Sequence, residues 1–348
     1  MTSPSPALVP EPGVYVPTVT FFKPSTSSSA RQAPLEIATQ CLHSVHLAKN
    51  GIRGLVLMGS TGEAIHLSRT ERFELLSGVR EGLTEAGFPD YPIIAGVLTN
   101  SVDEALEWLG DAKEAGAQWG LVLAPGYFGG VANQENLLEW YTLVADASPI
   151  PILLYDALDL VEFKALITEI RRYNYPGVTN NIMIGLETYT ALAAHPNIVG
   201  CKMSHGNVSH HLQVSLDPAI DHSNFRVFSG FGQQLGPIVL FGAAGVIDGL
   251  AAIYPATVAR LFELSAKRPV EPEALKEIQK LQFVVSRAEE KLGKWGIVGI
   301  KEGIYRVLNF GNMEGGRLPL KGSLPEGEWS SWNVAMDSMM EIEKTLQQ

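Results

Sequence analysis

Gly54-Leu-Val-Leu-Met58, followed by Gly59-Ser60-Thr61-Gly62-Glu63 and then by the amphipathic run Ser68–Glu85, reads as one strand–turn–helix unit. Five residues apolar on both faces suit a strand of a buried parallel sheet. Ser68 with Glu71 makes a capping box, which predicts the helix start. The pattern recurs along the chain. Further candidate strands are Val14–Phe21, Pro92–Val97, Gly120–Ala124, Ile150–Tyr155, Ile198–Lys202, Phe225–Ser229 and Gly245–Leu250. Between them lie helical patterns such as Pro34–Lys49, Val102–Ala115, Gln134–Ala145 and Tyr189–His195. Eight such units in series predict a (β/α)8 TIM barrel over residues 13–268. A doubly wound sheet competes, but no Gly-x-Gly-x-x-Gly follows the first strand. Residues 269–348 carry three more helical patterns, Glu271–Leu292, Val298–Leu308 and Trp329–Leu346. They are too short for a separate catalytic domain and predict a C-terminal helical extension packed on the barrel.

Composition narrows the function classes. The chain has 348 residues, 46% hydrophobic and 18% charged, enough for one large core. A net charge of −11 disfavours a nucleic-acid partner, which calls for a basic face. No apolar run approaches the ~18 residues of a membrane span. Cys41 and Cys201 cannot make a disulfide framework and fit a reducing compartment. Residues 1–12, rich in Pro and Ser and without Arg, read as a disordered arm, with neither secretory nor transit character. The expected location is cytoplasmic.

Active sites of such barrels form at the carboxyl ends of the strands, so the residues there are the first candidates. Lys202 ends the apolar run Ile198-Val199-Gly200-Cys201. Burial disfavours the charged form of an amine, and a neutral amine attacks ketones to form Schiff bases. The plain alternative is a solvated lysine just past a strand. Gly59–Glu63 offers a tight turn whose backbone N–H groups can receive a carboxylate; alternatively Ser60 and Glu63 only cap a helix. Tyr155 ends the fifth strand, where a phenol can relay protons or simply pack. His205, His210 and His211 read as loop residues rather than a metal site.

Taken together, these positions resemble one family. Gly59-Ser-Thr-Gly-Glu63, Tyr155 at a strand end, the turn Tyr173-Asn-Tyr-Pro-Gly177 and His195-Pro-Asn-Ile-Val-Gly-Cys-Lys202 occur in order and at compatible spacing from about Gly13 to Ala266. They are similar to the dihydrodipicolinate synthase/N-acetylneuraminate lyase superfamily of pyruvate-dependent class I aldolases. The resemblance implies that Lys202 forms the Schiff base and that Tyr155 shuttles protons. It implies that Ser60 and Thr61 hold the keto-acid carboxylate and that Ile247 packs over it. Tyr127 matches a position that members lend to a neighbouring subunit's proton relay, which implies a homo-oligomer. An iminium is itself an electron sink, so no metal and no cofactor are expected.

Two departures qualify the likeness. Members that make dihydrodipicolinate carry an arginine after the Pro-Gly turn; here Val178 follows, and a neutral side chain cannot clamp a second carboxylate. The residues around Lys202 and Tyr173 look more like the fungal branch that cleaves 2-keto-3-deoxy acids, notably L-threo-3-deoxy-hexulosonate, to pyruvate and glyceraldehyde. The 4-hydroxy-2-oxoglutarate aldolases are the nearest competitor, and a condensing enzyme of the dihydrodipicolinate type a remoter one. Secondly, Asp156–Tyr173 is an insertion between the strand and its turn, where ~2–6 residues are usual. It reads either as a short amphipathic lid or as a retained in-frame intron; an insertion that displaces the turn beside the site would leave a barrel that binds keto acids without turnover. It also leaves Tyr155 and Tyr173 as rival proton shuttles. Tyr155 is favoured because strand pairing fixes it.

Overall fold

The computed structural model describes residues 7–24, 31–157, 179 and 182–347. Eight parallel strands pair in sequence order, and the last returns to the first, closing a barrel. They are β1 Gly13–Pro17, β2 Gly54–Leu57, β3 Ile93–Val97, β4 Trp119–Leu123, β5 Ile152–Ala157, β6 Ile198–Ser204, β7 Arg226–Ser229 and β8 Gly245–Ile247. A doubly wound sheet, which has open edges, is excluded. Helices α1 Ile37–Lys49, α2 Arg69–Glu85, α3 Val102–Glu114, α4 Gln134–Ala147, α5 Leu186–Ala193, α6 Val208–Leu216, α7 Leu235–Leu240 and α8 Pro255–Ala266 surround it. The Ser68–Glu71 capping box opens α2 as expected.

Alternation along the strands divides the core in two. One cluster fills the barrel and includes Tyr15, Val56, Ile94, Trp119, Leu153, Tyr155, Phe228 and Ile247. The other lies between strands and helices and includes Leu55, Leu57, Leu154, Cys201 and Val246. Burying both faces of every strand explains why the strands read as continuous apolar runs.

Several boundaries differ from the sequence reading. β1 stops at Pro17 and not at Phe21, and β8 stops at Ile247, with a 3-10 turn at Leu250–Ala252. β5 runs two residues beyond Tyr155, pairing Asp156 with Met203 and Ala157 with Ser204. The first two residues of the expected insertion therefore belong to the barrel; residues 158–178, Tyr173 among them, lie outside the described set. Residues 7–12, expected within a disordered arm, pack under the barrel. Ala7 and Val9 contact its inner cluster, and Trp119 Nε1 donates to the Leu8 carbonyl at 2.6 Å.

The C-terminal extension holds α9 Pro272–Leu308 and α10 Asn333–Leu346. The sequence suggested two helices over the span of α9. The structure joins them across a bend at Gly296, whose φ of 52° and ψ of −136° are not helical. α10 returns to the barrel layer through Glu343. Its carboxylate accepts from the N–H of Ala256 and Thr257 and from the Thr257 hydroxyl at 2.7–2.9 Å, capping the start of α8.

Candidate active site

Strand β6 delivers Lys202 to the barrel interior by an irregularity. Ile198 pairs with Ile152, yet Gly200 pairs with Leu153, so β6 holds one extra residue, Val199. Without that bulge Tyr155 would face Cys201; with it, Tyr155 faces Lys202. Glycine is required at 200, because a Cβ there would collide with the Arg226 carbonyl. Lys202 is 7% exposed and Tyr155 3%. The Lys202 Nζ lies 4.3 Å from the centre of the Tyr155 ring. The carbonyl of Tyr155 accepts from the Ala124 N–H at 2.9 Å and from the Tyr141 hydroxyl at 3.4 Å, which seats its backbone against β4 and α4.

The Gly59–Glu63 turn follows β2 at the same end of the barrel. It closes on itself through Gly62 N–H to the Gly59 carbonyl at 3.0 Å and Glu63 N–H to the Ser60 carbonyl at 3.1 Å. Ser60 Oγ is buried and has no hydrogen-bond partner among the described residues. An unsatisfied buried hydroxyl is costly in a fold and suits a loop built to receive a ligand. The cap reading fails for Glu63, whose buried carboxylate binds Lys301 of α9 and the Arg317 N–H. Ile247, at the end of β8, is 1% exposed and belongs to the inner cluster.

Tyr127 lies apart from this group. It sits on the loop after β4, 74% exposed, its ring edge-on to the equally exposed Phe128 at 5.0 Å. The structure thus brings Lys202 and Tyr155 together at one strand pair, and leaves Tyr127 on the outside of the same chain.

The three histidines are buried, His205 just after β6 and His210 and His211 on helix α6 where a loop was expected: His205 stacks on His210 at 5.1 Å and lies tilted against His211 at 4.7 Å, ring to ring. Burial lowers the pKa of His205 to about 3 and of His211 to about 4, so both pack as neutral rings under the loop that follows Lys202. Among the described residues, no group of three His, Cys, Asp or Glu side chains is arranged to hold a metal ion.

Sequence reasoning missed several buried charges. Asp248, next to Ile247, meets Glu289 of α9 beneath Gly232, where a Cβ would touch both carboxyl groups. Among the described residues each has one oxygen without a donor, and burial raises the pKa of both, so one proton shared between them satisfies the pair. The available signal was Glu289 falling within the apolar stripe Leu281, Val285, Leu292. Asp156 is the second case. Its Oδ2 accepts from the Ile184 N–H at 3.3 Å, and among the described residues its Oδ1 has no close hydrogen-bond donor.

Burial raises the Asp156 pKa to about 7. A raised folded-state value means that the neutral acid is favoured by folding. Stability is therefore greatest below the ordinary carboxyl value and falls as pH rises toward about 7, by up to about 4 kcal/mol if the penalty is fully expressed. Asp156→Asn should be more heat-stable than the parent at pH 8 and gain nothing at pH 4. Melting curves across that range check this; an advantage that does not vary with pH would refute it.

Comparisons with known proteins agree with the geometry. The sequence profile of the dihydrodipicolinate synthetase family matches residues 35–172 and 162–286, two spans that overlap at the insertion. The L-threo-3-deoxy-hexylosonate aldolase of Hypocrea jecorina is 34% identical, over 96% of this chain and 98% of its own. The Emericella nidulans protein named "Probable 4-hydroxy-2-oxoglutarate aldolase, mitochondrial" is 33% identical over 97% of each. The crystal structure of a Coccidioides immitis protein assigned to the dihydrodipicolinate synthase family superposes with a TM-score of 0.77 at 27% identity, covering 97% and 98% of the two chains. With a closed barrel, a buried lysine facing a buried tyrosine on the neighbouring strand and relatives matched nearly end to end, this chain belongs to the dihydrodipicolinate synthetase family.

Proposed function

We propose that this protein is a Schiff-base aldolase that cleaves a 2-keto-3-deoxy sugar acid of the L-threo-3-deoxy-hexulosonate type to pyruvate and glyceraldehyde. The observation that carries the reading is the register of Lys202 opposite Tyr155, both buried at the carboxyl end of the barrel. In this reading the Lys202 amine adds to the C2 ketone and water leaves, giving an iminium. Tyr155 relays the proton away from the C4 hydroxyl as the C3–C4 bond breaks and the aldehyde departs. The bond's electrons pass into the iminium, leaving an enamine, which is protonated at C3 and hydrolysed to pyruvate and free Lys202. Ser60 and Thr61 hold the substrate carboxylate, and Ile247 packs against the keto acid.

A 4-hydroxy-2-oxoglutarate aldolase is the second reading, favoured by the name of the Emericella nidulans relative. The two differ in the released aldehyde, so turnover of both substrates, compared as kcat/KM, tests the proposal; preference for 4-hydroxy-2-oxoglutarate would replace it. Val178 in place of an arginine argues against dihydrodipicolinate formation.

The exposed Tyr127 and Phe128 support a homo-oligomer in which this loop meets a second copy. Tyr127→Ala with Phe128→Ala is expected to lower the assembled mass seen by sedimentation; an unchanged mass would place the contact elsewhere. Among the described residues, no helix is long and apolar enough to cross a membrane. The cytoplasmic reading rests on the two free cysteines, Cys41 and Cys201, which suit a reducing compartment. Fractionation decides it against the mitochondrial location in that relative's name.

A further inference from the structure

The turn after β2 is held from outside the barrel. Glu63 has a backbone φ of 55°, in the left-handed region that non-glycine residues rarely adopt. Its buried carboxylate accepts from the Lys301 ammonium, from the Arg317 N–H at 3.0 Å and from His66 Nδ1 at 3.1 Å. Two of these three donors belong to the C-terminal extension. Gly316 makes the approach possible, since a Cβ there would collide with the Glu63 carboxylate. On the opposite side, the Thr20 hydroxyl donates to the Gly62 carbonyl at 2.6 Å. The Gly59–Glu63 turn is therefore gripped at both of its last two residues.

Lys301 is itself shaped for this contact. It is 5% exposed, on the second half of α9, and its ammonium lies 4.5 Å from the Phe22 ring centre. The Arg317 guanidinium lies over the same ring at 4.8 Å and also grips Glu71 of the α2 capping box. Burial works against the Lys301 charge and the Glu63 carboxylate supports it. A buried ion pair adds little net stability over a packed apolar pair, yet removing one partner leaves an uncompensated charge. Such a pair fixes geometry more than it stabilises, and the geometry fixed here is that of the turn bearing Ser60 and Thr61.

We propose that Lys301 is a positioning residue for the substrate: from the C-terminal helix it fixes Glu63, and through Glu63 the Ser60–Thr61 turn, in the shape that receives a 2-keto acid's carboxylate. The inference rests on the proposed role of Ser60 and Thr61. It gives the C-terminal extension a part in substrate binding without contact with the reacting atoms.

The test is the pyruvate dependence of borohydride trapping at Lys202, followed by mass spectrometry on the full chain, for Lys301→Met, Lys301→Arg and Glu63→Gln. Lys301→Met and Glu63→Gln should raise the half-saturating pyruvate concentration about 10- to 100-fold. Trapping at saturation should approach that of the parent. Lys301→Arg, which keeps the charge in another shape, should fall between. Half-saturation unchanged in either folded variant overturns the proposal, as does a loss confined to the trapped fraction at saturation. Should Lys301→Met fail to fold, the isosteric Glu63→Gln carries the same comparison. No trapping of the parent protein at any pyruvate concentration would remove the aldolase reading and this inference with it. Normal trapping of the parent with an insensitive Glu63→Gln would remove this inference alone.

Discussion

Replacing Lys202 with arginine is expected to abolish both pyruvate trapping and aldol cleavage. A guanidinium keeps its charge at neutral pH and cannot serve as an amine nucleophile. The side chain is nearly the same length, and the site already accommodates a long nitrogen-tipped side chain against the Tyr155 ring, so the barrel should fold. Loss of a nucleophile or its partner costs roughly 10⁴–10⁶ in turnover. The check has two parts, mass gain after borohydride with pyruvate and steady-state cleavage. Residual turnover above about one part in a thousand would show that another group carries the chemistry. Trapping that persists at a different lysine would say the same.

The second large effect is expected from Tyr155→Phe, which should cut turnover by roughly 10²–10⁴ while leaving pyruvate trapping largely intact. The ring packs in the inner cluster and survives the change; only the hydroxyl is lost. Tyr173→Phe is the necessary companion, since the sequence offers both phenols. If Tyr173→Phe cripples the enzyme and Tyr155→Phe is harmless, the proton shuttle has been misassigned. The same pair should be measured in a chain lacking residues 156–173. There Asn174 and Tyr175 would take the β5 positions now paired with Met203 and Ser204. An amide would then replace the Asp156 carboxyl, and the stability loss between pH 4 and 8 should vanish with it. If the segment is foreign to the enzyme, the shortened chain should also be at least as active. If it is a functional lid, turnover should fall or substrate binding loosen.

The barrel was legible because both faces of its strands are buried, which leaves eight short apolar runs separated by helical periodicity. The residues at the strand ends were legible for the same reason. Gly54–Met58 fixes where Ser60 and Thr61 emerge, and Ile198–Cys201 fixes where Lys202 does. Such patterns are local, and local sequence carries them. What alternation could not supply was the facing of Lys202. A strict period of two from Ile198 would set Cys201 opposite Tyr155, and only the extra residue at Val199, seen in the pairing of β5 with β6, corrects it. The buried charges were likewise decided by tertiary structure. Glu63 read as a cap residue, and its partners Lys301 and Arg317 lie more than two hundred positions away. Asp248 and Glu289 are apart by a helix and a turn, and nothing in either local pattern announces the other. A carboxylate's partner is set by where the chain folds back, and a shared proton or a buried ion pair exists only once both groups have left water together.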